Sequence, residues 1–282
     1  MSAPSLPFPS KRRPLSSLLA VLFLGAVVLS ARVAEVRPQA LLAPEALEHL
    51  WAFVRGMVPP AHSPAFLRSL LTPLRETVQM ALLGTLLAAA LGLPLAVLAA
   101  STVLFAGPLH EAARGGPLRW LARRLPYLLS RLLLNVLRAI PELVWALLFV
   151  RVLGLGPAPG VLALGISYGG MIGKVYADLL EGVDPGPLLA LQSTGASRLQ
   201  LVLYGWLPQA LPNMLAYTLY RWECALRASA LMGFVGAGGI GQHIELAMRM
   251  FAYDEVASLI LVVFCLSAAV ERLGDALRRR LL

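Results

Sequence analysis

Stretches of about twenty mostly apolar residues recur along this chain, and basic residues collect in the gaps between them. About that length of helix crosses the hydrocarbon core of a bilayer. Inside lipid every backbone N–H and C=O must find its partner within the segment, so such stretches fold as helices. Spans are expected at 15–34, 77–100, 133–153, 159–177, 211–233 and 255–273. Composition points the same way: 58% of residues are hydrophobic and 14% charged, where soluble domains carry about 25% charge. The expected fold is all-α, a polytopic helical membrane protein. Residues 1–73 read as an anchor helix and external segment, and 74–282 as the transmembrane domain.

The charges set an orientation. Lys11, Arg12 and Arg13 precede the first span and Arg278, Arg279 and Arg280 follow the last. Basic residues stay on the cytoplasmic side, so both termini are expected there. The stretch 101–131, with Arg114, Arg119, Arg123, Arg124 and Arg131, then falls inside, partly as an amphipathic helix along the surface. The uncharged turn Gly154–Gly160 falls outside, as does 35–73, with its apolar runs Trp51 to Val54 and Met57 to Pro60. The net charge of +9 comes without a basic stripe or aromatic platform, so no nucleic-acid partner is expected. Cys224 and Cys265 both lie in apolar spans and are expected as free thiols. No small-residue cleavage site follows the first span, which is read as a retained anchor and not as a signal peptide.

Two motifs invite an enzymatic reading. Gly236-Ala-Gly238-Gly-Ile-Gly241 fits the dinucleotide fingerprint, but it follows a long span and lacks a strand–turn–helix unit. It is expected as an irregular turn at the outer end of span five. Gly165-Ile-Ser167-Tyr-Gly169 fits the nucleophile elbow, yet sits mid-span with no strand before it. Small residues that let helices approach closely account for it. An intramembrane hydrolase using Ser167 would need a histidine or aspartate partner within a span, and spans four to six offer none. No Walker A, H-E-x-x-H or paired Cys-x-x-Cys occurs, so the chain is expected to bind no cofactor or metal and to catalyse nothing itself.

Charges inside span five stand apart. Arg221, Glu223 and Arg227 each cost about 2.5–3.5 kcal/mol at mid-helix on insertion scales. Glu223 and Arg227 are spaced to pair along one face. Two readings of Arg221 stand side by side: a structural pair with Glu142 of span three, or a polar lining for a path that passes an anion. On the second reading Glu142, Arg221, Glu223 and Arg227 form a tentative translocation path.

Between spans four and five lies 178–208. Asp184 is followed by Pro185 and Pro187, which suit a helix's first turn. Leu188, Leu189 and Leu191 give a short apolar face, and Gly195 suits the position just past a helix end. A second helical pattern, Leu199 to Tyr204, runs up to Leu207-Pro208. A short helix between spans, stopped by glycine and returned to the membrane at proline, is a shape for docking on a soluble partner.

These residues resemble the cytoplasmic loop of the membrane-spanning subunits of ATP-binding-cassette (ABC) importers: Glu-Ala-Ala, three residues, Gly, nine residues, Ile-x-Leu-Pro. Gly195, Leu207 and Pro208 keep that register, whereas Leu189-Ala190-Leu191 replaces Glu-Ala-Ala and Gly205 replaces the isoleucine. Leu203 to Pro212, Tyr217 to Glu223 and Gly233 to Gln242 are similar to the phosphonate, phosphate and phosphite importer permeases in particular. The resemblance implies a homodimer, two separate ATPase subunits contacted through Leu188, Ala190, Gly195, Leu207 and Pro208, and an extracytoplasmic binding protein. It places the chain in the cytoplasmic (inner) membrane of a prokaryote, surrounded by lipid. The cargo it implies is phosphonate or a related phosphorus oxyanion, with another small solute such as methionine as the alternative.

Overall fold

A computed structural model describes residues 13–34, 43–104 and 117–281, with side chains from 17 onward and excepting 117–120, 123 and 281. Lys11, Arg12, Arg114 and the stretch 35–42 lie outside the described residues, as do the side chains of Arg13, Arg119 and Arg123. The chain divides into two compact units, Met1–Arg55 and Gly56–Leu282. In the first, α1 (Arg13–Val33) carries an apolar stretch, Ser17–Val33, that leaves Leu22, Phe23 and Leu24 exposed. Helix α2 (Pro44–Gly56) begins in this unit, with Arg55 stacked 5.0 Å above the Trp51 ring.

Among its described residues the second unit is built of helices joined by turns, with no strand. Ser63 caps the short α3 (Pro64–Ser69), accepting from the Phe66 amide at 3.2 Å. The long α4 (Leu71–Ala99) follows almost at once, then α5 (Ser101–Leu104), α6 (Pro117–Ala139), α7 (Glu142–Leu153) and α8 (Pro157–Glu181). The loop region carries α9 (Pro185–Ser193) and α10 (Arg198–Leu201) and leads into α11 (Leu207–Met232). Helices α12 (Gly239–Arg249) and α13 (Tyr253–Leu281) complete the chain.

Helix α8 is the centre of this unit, in contact with α4, α6, α7 and α11. Its glycines set the distances. A Cβ on Gly170 would lie 2.7 Å from the Arg138 nitrogen and 2.8 Å from the Leu134 oxygen of α6. One on Gly92 of α4 would lie 2.9 Å from the Gly173 nitrogen. Backbone therefore meets backbone on two sides of α8, as small residues permit in membrane helices. A second apolar cluster, Leu70, Ile240, Ala247, Val256 and Leu259, joins the start of α4 to α12 and α13.

The expected spans are realised unevenly. Pro64–Ala99 and Tyr253–Arg280 are each long and apolar enough to cross a membrane alone. Span three is instead a bent pair, Arg124–Ala139 and Glu142–Leu153, turning through 85°. Pro141 is the cause, since a proline cannot continue the preceding helix and disfavours helical backbone just before it. Span five is also a bent pair, Arg198–Val235 and Gly239–Arg249, at 46° across the glycine-rich turn. The apolar part of α1, Ser17–Val33, is shorter. Although α8 has 25 residues, it is not among the helices apolar enough to qualify by composition. Protein surrounds it, so glycine, serine and tyrosine stand where a lipid-facing helix would carry leucine.

Candidate functional site: coupling loop and polar residues of the spans

The loop after α8 folds as its turn residues dictate. Asp184 accepts from the Gly186 amide at 3.0 Å and starts α9, whose first turn holds the prolines. At the other end Ser193 and Thr194 donate their hydroxyls to the Ala190 and Leu191 carbonyls at 2.7 and 2.8 Å, using acceptors the helix end leaves free. Gly195 then turns at φ +83°, a conformation that favours glycine. Ser197 and Gln200 form a reciprocal capping box, at 2.7 Å from the Ser197 amide to Gln200 Oε1. Five residues, Val202–Trp206, wind as a π-turn before α11 resumes at Leu207 and Pro208.

Within α9 only Leu188 is buried, at 2% exposure. It seats over Gly205, where a side chain would collide with Leu188 Cδ2. The glycine that departs from the family's isoleucine is thus the hole for a leucine knob. Ala190 and Gly195 lie on the open side, as do Leu189, Leu199, Leu203 and Tyr204, the last 72% exposed. Pro208 is exposed and Leu207 half-buried. The loop therefore presents an apolar, rigidly capped surface to whatever docks there.

The root of this loop is held by a charge cluster that the sequence did not single out. Glu181, at the end of α8, accepts from the Ser101 amide at 2.7 Å and from Arg131 at 2.8 Å. Arg131 also donates through Nε to the Ala99 carbonyl at 2.9 Å, and stands 5.1 Å from the Tyr127 ring. One ion pair thereby ties the end of α4, the start of α5, α6 and the end of α8 together. Lys174 adds a pair with Asp178, at 2.5 Å.

The charges of span five point in different directions. Arg221 lies 4.0 Å over the Tyr168 ring, with one guanidinium nitrogen 2.7 Å from Met171 Sδ. Among the described residues its buried Nε has no hydrogen-bond partner, and no ion pair joins it to Glu142. Glu142 is the first residue of α7, where a carboxylate suits the positive helix end. It sits past the bend and not in the middle of a straight span, and it is within electrostatic reach of Tyr168, as Arg221 is. Glu223 does not take Arg227 as partner. It is 8% exposed and turned to α13, where Arg278 approaches to 2.8 Å. The contact is an ion pair between Arg278 Nη1 and Glu223 Oε1, neither of which makes a well-formed hydrogen bond, while Arg278 Nη2 donates to Asp275 Oδ1 at 2.7 Å. Gly274 makes room, because a side chain there would collide with Glu223 Oε1. Arg227 is exposed and approaches Cys224 Sγ at 3.6 Å. Periodicity along α11 could not reveal a partner on another helix.

The glycine-rich motif is a turn joining α11 to α12, with Gly236, Gly238 and Gly239 at φ +92°, +79° and +72°. The first amides of α12 are already occupied: Gly239 donates to Glu76 Oε2 and Ile240 to Thr77 Oγ1, each at 2.9 Å. Ser167 is fully buried within the unbroken α8, and its hydroxyl has no hydrogen-bond partner among the described groups. A continuous helix is not the setting of a nucleophile elbow.

The family described as binding-protein-dependent transport system inner membrane component matches residues 118–282. The phosphite transport system permease protein PtxC of Stutzerimonas stutzeri is 38% identical over 212 residues, 75% of this chain and 71% of its own. The phosphate-import permease protein PhnE of Mycolicibacterium smegmatis is 38% identical over 258 residues, 91% of this chain and 44% of its own. In fold, the inward-facing MetNI methionine ABC transporter aligns with a TM-score of 0.63 at 23% identity, covering 78% of this chain and 100% of that one. The family match spans more than half of the residues, and the PtxC alignment spans most of both chains. The chain belongs to the binding-protein-dependent transport system inner membrane component family.

Proposed function

We propose that this permease subunit of an ABC importer passes a phosphorus oxyanion, of the phosphonate, phosphite or phosphate kind, through a path on which Arg221 supplies the positive charge. The observation that carries this reading is the state of Arg221: a cation within a span, stacked on Tyr168, without a carboxylate partner among the described residues. A guanidinium in that state presents a planar fork of donors that fits phosphorus oxyanions. The likeness to PtxC, a phosphite transport permease, and to PhnE, a phosphate-import permease, supports the same cargo. Two copies of the chain would enclose the path, since one chain shows a single coupling loop. Separate ATPase subunits dock on the open face of the loop through Ala190, Gly195 and Pro208, and a binding protein delivers cargo at the opposite end. Leu188, expected as a contact, is buried against Gly205 and holds the loop from within, with Leu207 half-buried beside it. Glu223 holds α11 to α13, and Glu142 and Arg227 complete the charges along the path. In this arrangement both termini and the coupling loop face the cytoplasm, as the flanking arginines support.

The test is Arg221→Gln in proteoliposomes with the ATPase and binding protein. Oxyanion uptake should fall at least about tenfold while loaded binding protein still stimulates ATP hydrolysis, a loss of about 1.4 kcal/mol or more along the path. If Glu142→Arg combined with Arg221→Glu restores full uptake, Arg221 is scaffold and the path role is wrong.

A further inference from the structure

Two consecutive side chains of α4 hold the glycine-rich turn. Glu76 and Thr77 accept the first two amides of α12, and those amides would otherwise be unpaired, as the leading N–H groups of any helix are. The contact is tight on both sides. A Cβ on Gly238 would lie 3.1 Å from Glu76 Oε2, and one on Gly239 would lie 2.6 Å from Thr77 Oγ1. Thr77 is 1% exposed and also meets α11, because its carbonyl accepts from Ser229 Oγ at 3.1 Å. On the far side of the turn the Gly156 amide donates to the Gly236 carbonyl at 3.1 Å, which brings the start of α8 to the same point. Four helices thus meet at six residues of glycine-rich backbone. The ends of α4, α8 and α11 that meet here are opposite to those that meet at the coupling loop.

We propose that Glu76 and Thr77 are positioning residues of the outer gate: their two bonds to the Gly239 and Ile240 amides hold the 236–241 turn shut, and the path opens outward when the turn leaves α4. The turn is suited to this because three of its glycines already occupy positive φ, so it can re-fold without moving bulky side chains. The carboxylate bond is charge-assisted, and its loss shifts an open–closed ratio by about tenfold. The proposal rests on the reading of the chain as an importer permease, but not on its cargo.

The experiment uses the whole transporter in nanodiscs, with Cys224 and Cys265 replaced by serine and a reporter at Ala237→Cys. Ala237 is fully buried in the turn and packs near Gly160, so a maleimide reaches position 237 only when the turn lifts. Labelling is read without cargo in the resting state and after trapping with ATP and vanadate. Thr77→Val and Glu76→Ala should each raise the resting rate about tenfold and raise basal ATP hydrolysis, with the trapped rate unchanged. Glu76→Gln keeps an acceptor oxygen and should stay within about twofold of the parent. Should Glu76→Ala fail to accumulate in membranes, Thr77→Val decides alone. Resting rates unchanged in Thr77→Val, or rates raised equally in both states, would overturn the gate role. An oxyanion that fails to be transported would leave these rates as they are, so the two readings fail separately.

Discussion

Replacing Leu188 with alanine should disconnect the coupling loop without unfolding the protein. Leu188 is the one buried residue of α9, at 2% exposure, and its Cδ2 fills the space above Gly205. Truncating a buried leucine costs about 2–5 kcal/mol, depending on how far the site collapses. Here the neighbours cannot collapse readily, because the facing residue is already a glycine within a capped turn. A nine-residue helix has little stability of its own, so the loss falls on its docking. Even about 2 kcal/mol lowers the ratio of docked to undocked loop about thirtyfold. The melting temperature of the purified permease should move little, since the core around α8 is untouched. Uptake, and ATP hydrolysis stimulated by the loaded binding protein, should each fall about tenfold or more in proteoliposomes. Gly205→Ile alone should fail similarly, through collision with Leu188. The double variant Leu188→Ala/Gly205→Ile, which exchanges knob and hole, should recover part of the coupling. Normal coupling in Leu188→Ala, or a double variant worse than both singles, would refute the account.

Two further outcomes follow from the ion pair and from the charge distribution. Arg278→Ala strands the buried Glu223 carboxylate and should destabilise the protein by about 3–5 kcal/mol; thermal unfolding in detergent measures it, and Arg278→Ala/Glu223→Gln should regain most of the loss. A cysteine introduced at His62, in a Cys224- and Cys265-free background, should react with an impermeant maleimide from outside intact cells; reaction only after the membrane is opened would invert the proposed topology.

The fold of the loop between α8 and α11 was legible in the sequence because its signals are local. Pro185, Pro187 and Gly195 act through their own backbone and that of near neighbours, and each sits where its chemistry predicts, whereas the caps at Asp184 and Ser197 were not read from the sequence. The bend in span three carried a local signal too, in Pro141, but an apolar window averages across a proline and reads one span. What stayed hidden is tertiary. Arg278 lies far along the chain from Glu223, and Glu76 from Gly239, so no periodicity links them. Gly205 looked like a departure from a family pattern until Leu188 was seen to occupy its place. The charge at Arg221 was legible as an anomaly, whereas its seat on Tyr168 was not.

The burial of α8 bears on how the protein is made. A helix with Gly165, Ser167, Gly169, Gly170, Gly173, Lys174 and Asp178 along its length gains little by partitioning into lipid on its own. Its broadest contact is with α4, and it also meets α6 and α7, all of which leave the ribosome earlier. These neighbours offer backbone grooves at Gly92 and along Leu134 to Arg138 that only a glycine-faced helix can enter. Insertion is then ordered by the chain itself: α4, α6 and α7 prepare a slot, and α8 enters protein where its predecessors entered lipid. A change that fills the slot, such as a bulky residue at Gly92, would strand α8 during synthesis, before any question of transport arises.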